Sequence, residues 1–420
     1  MTTTTEPARA APAWTLLRET MFRRYWSAAA VSLVGDQISL LALPLLAVLW
    51  LDASPAEMGY LTAAGLAPNL AFSLLAGVWV DRRRQRRYVM ITVDVIRALL
   101  VASIPVAYGL DRLGLTQLYV VAFLIGTSST FFEVANSTLF VSVVKPDQYV
   151  PASSLLNGAR AMSFAAGPSL GGWLVQLLTA PAALLFDAVS FLFSAALLGR
   201  VRVREPEPET SREGQLTAGL RFLTGSRSLW SLLASVATVN LFNYMFAALA
   251  VLYFTVHLGV TPGVLGLVLG AASAGALLGS VVTGRLVRAI GIGPAYTVGL
   301  LAFPAPLILV PLAGGPRPAV LALLFLAEFG SGLGVMILDI AAGSLLASLV
   351  PHRLRARVSG AFRTVNYGIR PVGALIGGAL GTAFGVRPTL WLATVGALLG
   401  VFWLAGSPIL RLRTLPEPPP

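Results

Sequence analysis

From residue 25 to residue 408 the chain repeats one pattern: a long apolar stretch, a short polar break, then another long apolar stretch. Twelve stretches can be counted, at 25–50, 57–80, 89–110, 117–144, 153–178, 181–199, 229–256, 262–284, 292–312, 318–349, 356–381 and 388–408. Each is near the roughly 20 residues that a helix needs to cross about 30 Å of hydrocarbon. Several are longer, which predicts tilt or extension past the bilayer. A membrane β-barrel would instead show segments of roughly ten residues alternating apolar and polar positions. None occur, so all twelve stretches are read as helices.

The polar breaks are not equivalent. Residues 77–87 read GVWVDRRRQRR, an apolar run ending in an aspartate and five arginines. With the N-terminus placed inside, the inner segments hold 23 of the 30 lysines and arginines and the outer loops hold Arg112, Arg317 and Arg387. Basic residues accumulate on the cytoplasmic side of membrane proteins, so both termini are expected there, in a multi-pass protein of the bacterial plasma (inner) membrane. Composition agrees, with 56% hydrophobic and 11% charged residues and a mean hydropathy of +0.79. A net charge of +12 would suit nucleic acid in a soluble chain. Here the arginines sit at span ends, where they hold loops at an anionic lipid surface, so lipid rather than nucleic acid is the expected partner.

Between the sixth and seventh stretches lies RVREPEPETSREG, too polar and proline-rich to cross a membrane. It divides the chain into a cytoplasmic segment 1–24, a six-helix bundle 25–199, a linker 200–228, a second bundle 229–408 and a cytoplasmic tail 409–420. After the linker, Leu216, Leu220 and Leu223 recur at helical spacing with Arg221 and Arg227 off that stripe. This predicts a helix on the membrane surface or an extension of the seventh span. The bundles echo each other. Pro55, Gly59, Ala64, Leu70, Ser73, Gly77 and Val80 match Pro262, Gly266, Ala271, Leu277, Ser280, Gly284 and Val287 at a spacing of 207, and Arg160 and Pro168 match Arg363 and Pro371 at 203. Two parallel six-helix repeats joined by a cytoplasmic linker form a common layout of secondary transporters, with the site near mid-membrane.

At these residues the chain resembles the major facilitator superfamily. Gly77, Asp81 and Arg82 match its loop motif G-x-x-x-D-R-x-G-R-[KR]-[KR], with Arg84 and Gln85 departing from it. The resemblance implies a latch of the state closed on the cytoplasmic side. Gly77 would admit a neighbouring helix, Asp81 would accept its terminal N–H groups, and Arg82, Asp94 and Arg97 would hold the carboxylate or pair together. Residues 154–172, SLLNGARAMSFAAGPSLGG, resemble the superfamily's antiporter motif. Ser154 and Ser163 stand at two of its glycine positions and Gly167, Pro168, Gly171 and Gly172 are kept. There Pro168 should bend the helix and the glycines should allow close packing across the halves. Further stretches (22–44, 94–100, 167–174 and 187–198) resemble the macrolide-efflux and siderophore-exporter branch. The resemblance implies an all-α membrane protein of twelve transmembrane helices in the major facilitator fold, whose first, fourth, seventh and tenth spans line the cavity.

An ionisable side chain at mid-span costs at least about 2.5–3.5 kcal/mol and is a functional candidate by default. Asp36, Glu133 and Asp339 each lie about eleven residues, roughly 16 Å, from the expected cytoplasmic ends of cavity-lining spans, and Glu328 shares the tenth span. These four are the proton-coupling candidates, Asp36 first because Gly35 leaves room beside it and Glu133 second. Gln37, Phe132, Asn136, Asn240, Asn243, Tyr244, Phe329 and Arg370 are the cargo-binding candidates. The aromatics suit a bulky, partly apolar molecule and Arg370 an anionic group. Asp187 is expected to hold helices together.

The predicted activity is export of a small drug-, antibiotic- or siderophore-like molecule in exchange for protons, by a monomer with no cofactor. A major facilitator importer or lysolipid transporter is the alternative. The chain holds no cysteine and two histidines, His257 and His352, far apart in sequence, so no metal site is expected. An enzyme would need a nucleophile with its base, a metal cluster or a cofactor motif, and none is present. A receptor or scaffold leaves the repeat and the buried acids unexplained.

Overall fold

A computed structural model describes residues 13–83, 85–203 and 215–416, without the side chains of 74, 78, 81, 215–218 and 356. Much of the expected linker, the first residues of the N-terminal segment and the end of the tail therefore lie outside the described residues. The first half contains α1 (Thr20–Trp50), α2 (Pro55–Asp81), α3 (Arg86–Gly109), α4 (Leu115–Val143), α5 (Tyr149–Leu177) and α6 (Ala180–Gly199). A short α7 (Gln215–Gly225) precedes the second half, α8 (Arg227–Leu252), α9 (Pro262–Ile290), α10 (Ile292–Ala302), α11 (Leu309–Leu312), α12 (Arg317–Leu349), α13 (Arg355–Phe384) and α14 (Val386–Leu398). No strand occurs among the described residues.

By length and composition nine segments among the described residues can cross a membrane. The remaining long helices, α2, α5 and α13, have 27, 29 and 30 residues and lie on the seam between the halves, α2 against α13 and α5 against α9. The predicted stretch 292–312 is not one uninterrupted α-helix. Pro304 and Pro306 lack the N–H that would continue α10, and the chain passes through a 3-10 turn, Ala305–Ile308, into α11. The last stretch likewise tightens into a 3-10 turn, Leu399–Leu404, after α14.

The repeat seen in the sequence is a repeat of packing. A Cβ on Gly378 of α13 would meet the Pro55 carbonyl and the Gly59 Cα of α2, and a Cβ on Gly172 of α5 would meet the Pro262 carbonyl and the Gly266 Cα of α9. The matched pairs thus do the same work in both halves: Pro55 and Pro262 start α2 and α9, and Gly59 and Gly266 give the partner helix room for backbone contact. Pro168 cannot donate to the carbonyl of Phe164, and that carbonyl instead accepts the Ser273 hydroxyl of α9 at 2.8 Å.

The close contacts across the seam run from one end to about the middle of these helices, where Leu70 meets Gly368 and Ser273 meets Phe164. Gly77, Gly158 and Gly360 meet nothing within 4 Å, and Gly284 meets only Arg288 of its own helix. The seam glycines make close contacts toward the end whose loops hold few arginines and lose them toward Arg82, just after α2, and toward Arg285, Arg288, Arg355 and Arg357 of α9 and α13.

The helix α7 is separate from α8, because Ser226 breaks the chain and caps α8 through Leu229 N–H. Its apolar face meets protein rather than lipid. Leu223 is buried with Leu229, Leu233 and Val358, and Gly219 lies against the Arg357 carbonyl of α13. The amphipathic pattern specified a buried face without specifying what covers it. The side chain of Leu216 lies outside the described residues.

Candidate functional site

Asp36 is a half-buried residue of α1. Its neighbour Gly35 has no side chain because α6 occupies that space: a Cβ there would meet the Ser190 hydroxyl and the Asp187 carboxylate. The room left by Gly35 belongs to a second acid. Asp187, 1% exposed, accepts the Ser39 hydroxyl of α1 on one oxygen and the Ser190 hydroxyl at 3.1 Å on the other.

A cavity of about 370 Å³ opens from Asp36 toward the arginine-rich end. Its walls include Glu133, Phe132 and Asn136 of α4, Arg160 of α5 and Arg97 of α3. Asn136 accepts the Tyr25 hydroxyl at 2.6 Å, which fixes the amide at the cavity wall. A second cavity of about 430 Å³ begins at Asp36 and runs the other way, past Gln37 and Asp187 to Tyr244 of the second half.

Arg97 is the buried cation of this cavity wall, 2% exposed and paired with Asp94 at 3.6 Å. Its guanidinium lies 4.8 Å from the Phe132 ring centroid and 5.3 Å from that of Phe191. A buried guanidinium needs partners of this kind, because the desolvation of each ion costs several kcal/mol. Arg97 also lies within electrostatic reach of Asp36 and Asp187, as Glu133 does of Asp36. The close ion pair goes to Asp94, which leaves Asp36 open to the cavities.

Several sequence expectations are corrected. Asp94 and Arg97 belong to this interior cluster and not to the loop, since eight and eleven residues of α3 separate them from its start at Arg86. At the positions of the expected latch, a Cβ on Gly77 would meet nothing within 4 Å and Arg82 is exposed, as in a state open at this end; the side chain of Asp81 lies outside the described residues. The loop is tied to its own half, through Arg87 donating to the Val201 carbonyl and Arg83 stacked 4.4 Å from the Trp79 ring centroid. In α5, Gly167 and Gly171 pack on Gln37 and Ile38 of α1, within the first half, and Gly172 crosses to α9. Positions four apart share a helical face, and the next position faces elsewhere. Ser163 and Ser154 bond back to carbonyls of their own helix, of Ala159 and Val150.

The second half is built differently. Asp339 and Glu328 do not line the two cavities at Asp36. Asp339 is exposed and within reach of Arg370, while Glu328 is 8% exposed with no charged neighbour acting on it. Arg370 stacks 4.1 Å from the Tyr367 ring centroid and 5.0 Å from that of Tyr244. Asn240 donates to Asn366 of α13 at 3.3 Å, a bridge between helices, while Asn243 and Phe329 are half-buried. The reading of the sequence passed over Arg97 and Asp187 as cavity residues. A signal existed: Asp187, Ser190 and Ser194 recur at i, i+3 and i+7, a polar stripe on an otherwise apolar helix.

Two helical halves around cavities lined with buried charge define a membrane transporter, and comparison with known proteins specifies which kind. The sequence model of the Major Facilitator Superfamily matches residues 25–370 and 236–420, and the chain belongs to that family. Over 403 residues it is 29% identical to the multidrug efflux pump Tap of Mycolicibacterium fortuitum, covering 89% of this chain and 92% of that protein. The uncharacterized MFS-type transporter YfiS of Bacillus subtilis (strain 168) is 27% identical over 403 residues, with 91% and 92% covered. Among solved structures, that of a bacterial homologue of the iron transporter ferroportin, in an inward-facing state, superposes with a TM-score of 0.76 at 16% identity, covering 92% of this chain and 98% of that one. The protein is a multi-pass membrane transporter and not an enzyme.

Proposed function

We propose that this protein exports a bulky, partly apolar small molecule from the bacterial cytoplasm across the inner membrane in exchange for protons, working as a monomer of twelve spans. The observation that carries the reading is Asp36, a carboxylate open to both cavities beside Arg97 and facing Glu133 across the first of them. The named efflux pump among the relatives supports the direction of transport and the cargo class.

With the arginine-rich end in the cytoplasm, this structure is the state open to the inside. Cargo enters between the parted ends of α2, α5, α9 and α13 and meets Phe132, Tyr244 and the polar walls. Closing that end and opening the other requires the glycine contacts of the outer seam to separate. Protonation of Asp36 removes a negative charge beside Arg97 and changes which state is favoured. Coupling requires that proton and cargo each bind one state or occupancy better than the other.

Everted vesicles test the scheme with ethidium as the probe. Accumulation in the lumen should require an acid lumen and collapse with an uncoupler, and Asp36→Asn should abolish it while the protein remains folded. Full proton-driven accumulation by that variant would remove Asp36 from the mechanism.

A further inference from the structure

Asp36 stands at the boundary of the two cavities. Along α1, Ser32 and Leu33 line the one toward the arginine-rich end, Gln37 and Ser39 line the other, and Asp36 lines both. On α4 the residue shared by both cavities is Ser129, and Glu133, one turn or about 6 Å further along, faces the first. Asp187 lines the second cavity and has no part in the scheme above.

The surroundings of Asp187 are unusual for a structural acid. Its carboxylate lies beside the turn from Gly35 to Ser39, held by the hydroxyls of Ser39 and Ser190. The charges facing it are Asp36 of α1 and Arg97 of α3, and Arg97 makes its close ion pair with Asp94. From α5, which also packs on α6, Arg160 reaches the first cavity instead. A serine hydroxyl donates to a carboxylate and accepts from a carboxylic acid with a small rotation. An arginine would serve only the ionised form. Ser190 has a further acceptor in the Asp187 backbone carbonyl at 2.8 Å, so its single proton can move between the carbonyl and the carboxylate as the acid changes state.

We propose that Asp187 is a second proton-carrying carboxylate of this transporter, loaded from the second cavity and exchanging its proton with Asp36, beside which it packs because Gly35 carries no side chain, an inference that rests on the proton-coupled reading above. In the exchange the O–H bond of the Asp187 acid breaks and an O–H bond forms on the Asp36 carboxylate, directly or through one water. The electron pair stays on Asp187, whose new charge is received by the two serine hydroxyls. From Asp36 the proton leaves through the first cavity, past Glu133. The three acids form one path from the second cavity to the first, with Arg97 beside its middle.

Infrared difference spectra of the full-length protein in liposomes, recorded between acid and alkaline pH, read carboxylic acids directly and need no cargo. Among the protonated-carboxyl bands that titrate in the wild type, one should be lost in Asp36→Asn and a different one in Asp187→Asn. Loss of Asp36 should move the midpoint of the Asp187 band by about one pH unit, a tenfold change in proton concentration. Ser39→Ala keeps the carboxylate and guards against an Asp187 variant that fails to fold; it should move the midpoint of the Asp187 band and leave the Asp36 band in place. A wild-type spectrum retained in Asp187→Asn, or an Asp187 band indifferent to Ser39→Ala, overturns the proposal while the Asp36 band keeps the antiport reading standing. Absence of any titrating carboxyl band in the wild type brings down both.

Discussion

The halves of this transporter share a scaffold and differ in where they keep charge. In the first, Asp36, Asp94, Asp187 and Glu133 gather around Arg97, and Asp36, Asp187 and Glu133 reach one or both of the cavities. In the second, Arg370 stacks on two tyrosines, Asp339 is exposed and Glu328 is buried apart from other charges. The positions that match across the repeat, Pro55/Pro262 and Gly59/Gly266, serve the seam. Helix packing needs small residues at fixed intervals in both copies, whereas a proton site needs a cluster in one. The comparison therefore assigns motion to what the halves share and chemistry to what they do not.

The largest expected effect is functional. Asp36→Asn should stop proton-driven transport, while Glu328→Gln and Asp339→Asn should keep it; a requirement for either second-half acid equal to that for Asp36 would break the asymmetry. Next comes Arg97→Gln, which leaves Asp94 buried without its cation and should destabilise the protein by about 3–5 kcal/mol in chemical unfolding. Arg370→Gln should cost clearly less, because ring faces rather than a close carboxylate hold that cation, and a similar loss at both positions would show that the second half conceals a buried pair. At the seam, Gly172→Val and Gly378→Val should each destabilise by about 1–3 kcal/mol through overpacking against backbone. Their effects should add in the double variant, as at independent sites. The smallest test compares helix starts. Ser54 caps α2 in a reciprocal pair with Glu57, whereas the Gly263 N–H near the start of α9 donates to Gln176 of α5, across the seam, at 2.9 Å. Ser54→Ala should cost about 1 kcal/mol in a thermal melt at any conformation, and Gln176→Leu a similar amount only while the outer ends of the halves are together.

The clearest reading from sequence concerned the segments with the longest apolar patterns. Alternation of apolar spans and arginine-rich breaks pointed to a helical membrane protein, and the 207-residue spacing located residues of the seam before any contact was known. Charged residues were harder to place. Asp94 and Arg97 form the local i, i+3 pair that their spacing suggests, and the depth of α3 in the bundle, which that spacing does not reveal, also brings them within reach of Asp36. Asp339 and Asp36 stand at similar distances from their helix ends, but the partners of each, Arg370 for Asp339 and Arg97 for Asp36, come from other helices and are not legible from depth alone.

The sequence by itself determined the helical, apolar kind of the long segments, the uneven distribution of basic residues among the breaks between them, the internal repeat and the identity of the acids within the apolar stretches. Those are properties of hydrophobic length and residue type, which the solvation of each segment dictates one helix at a time. Only the tertiary structure decided that Asp187 and Ser190 of α6 pack into the space that Gly35 leaves on α1, and that Ser273 takes the carbonyl freed by Pro168. Each depends on the rotation and depth of one helix against another, and the pattern within a single helix does not contain that information.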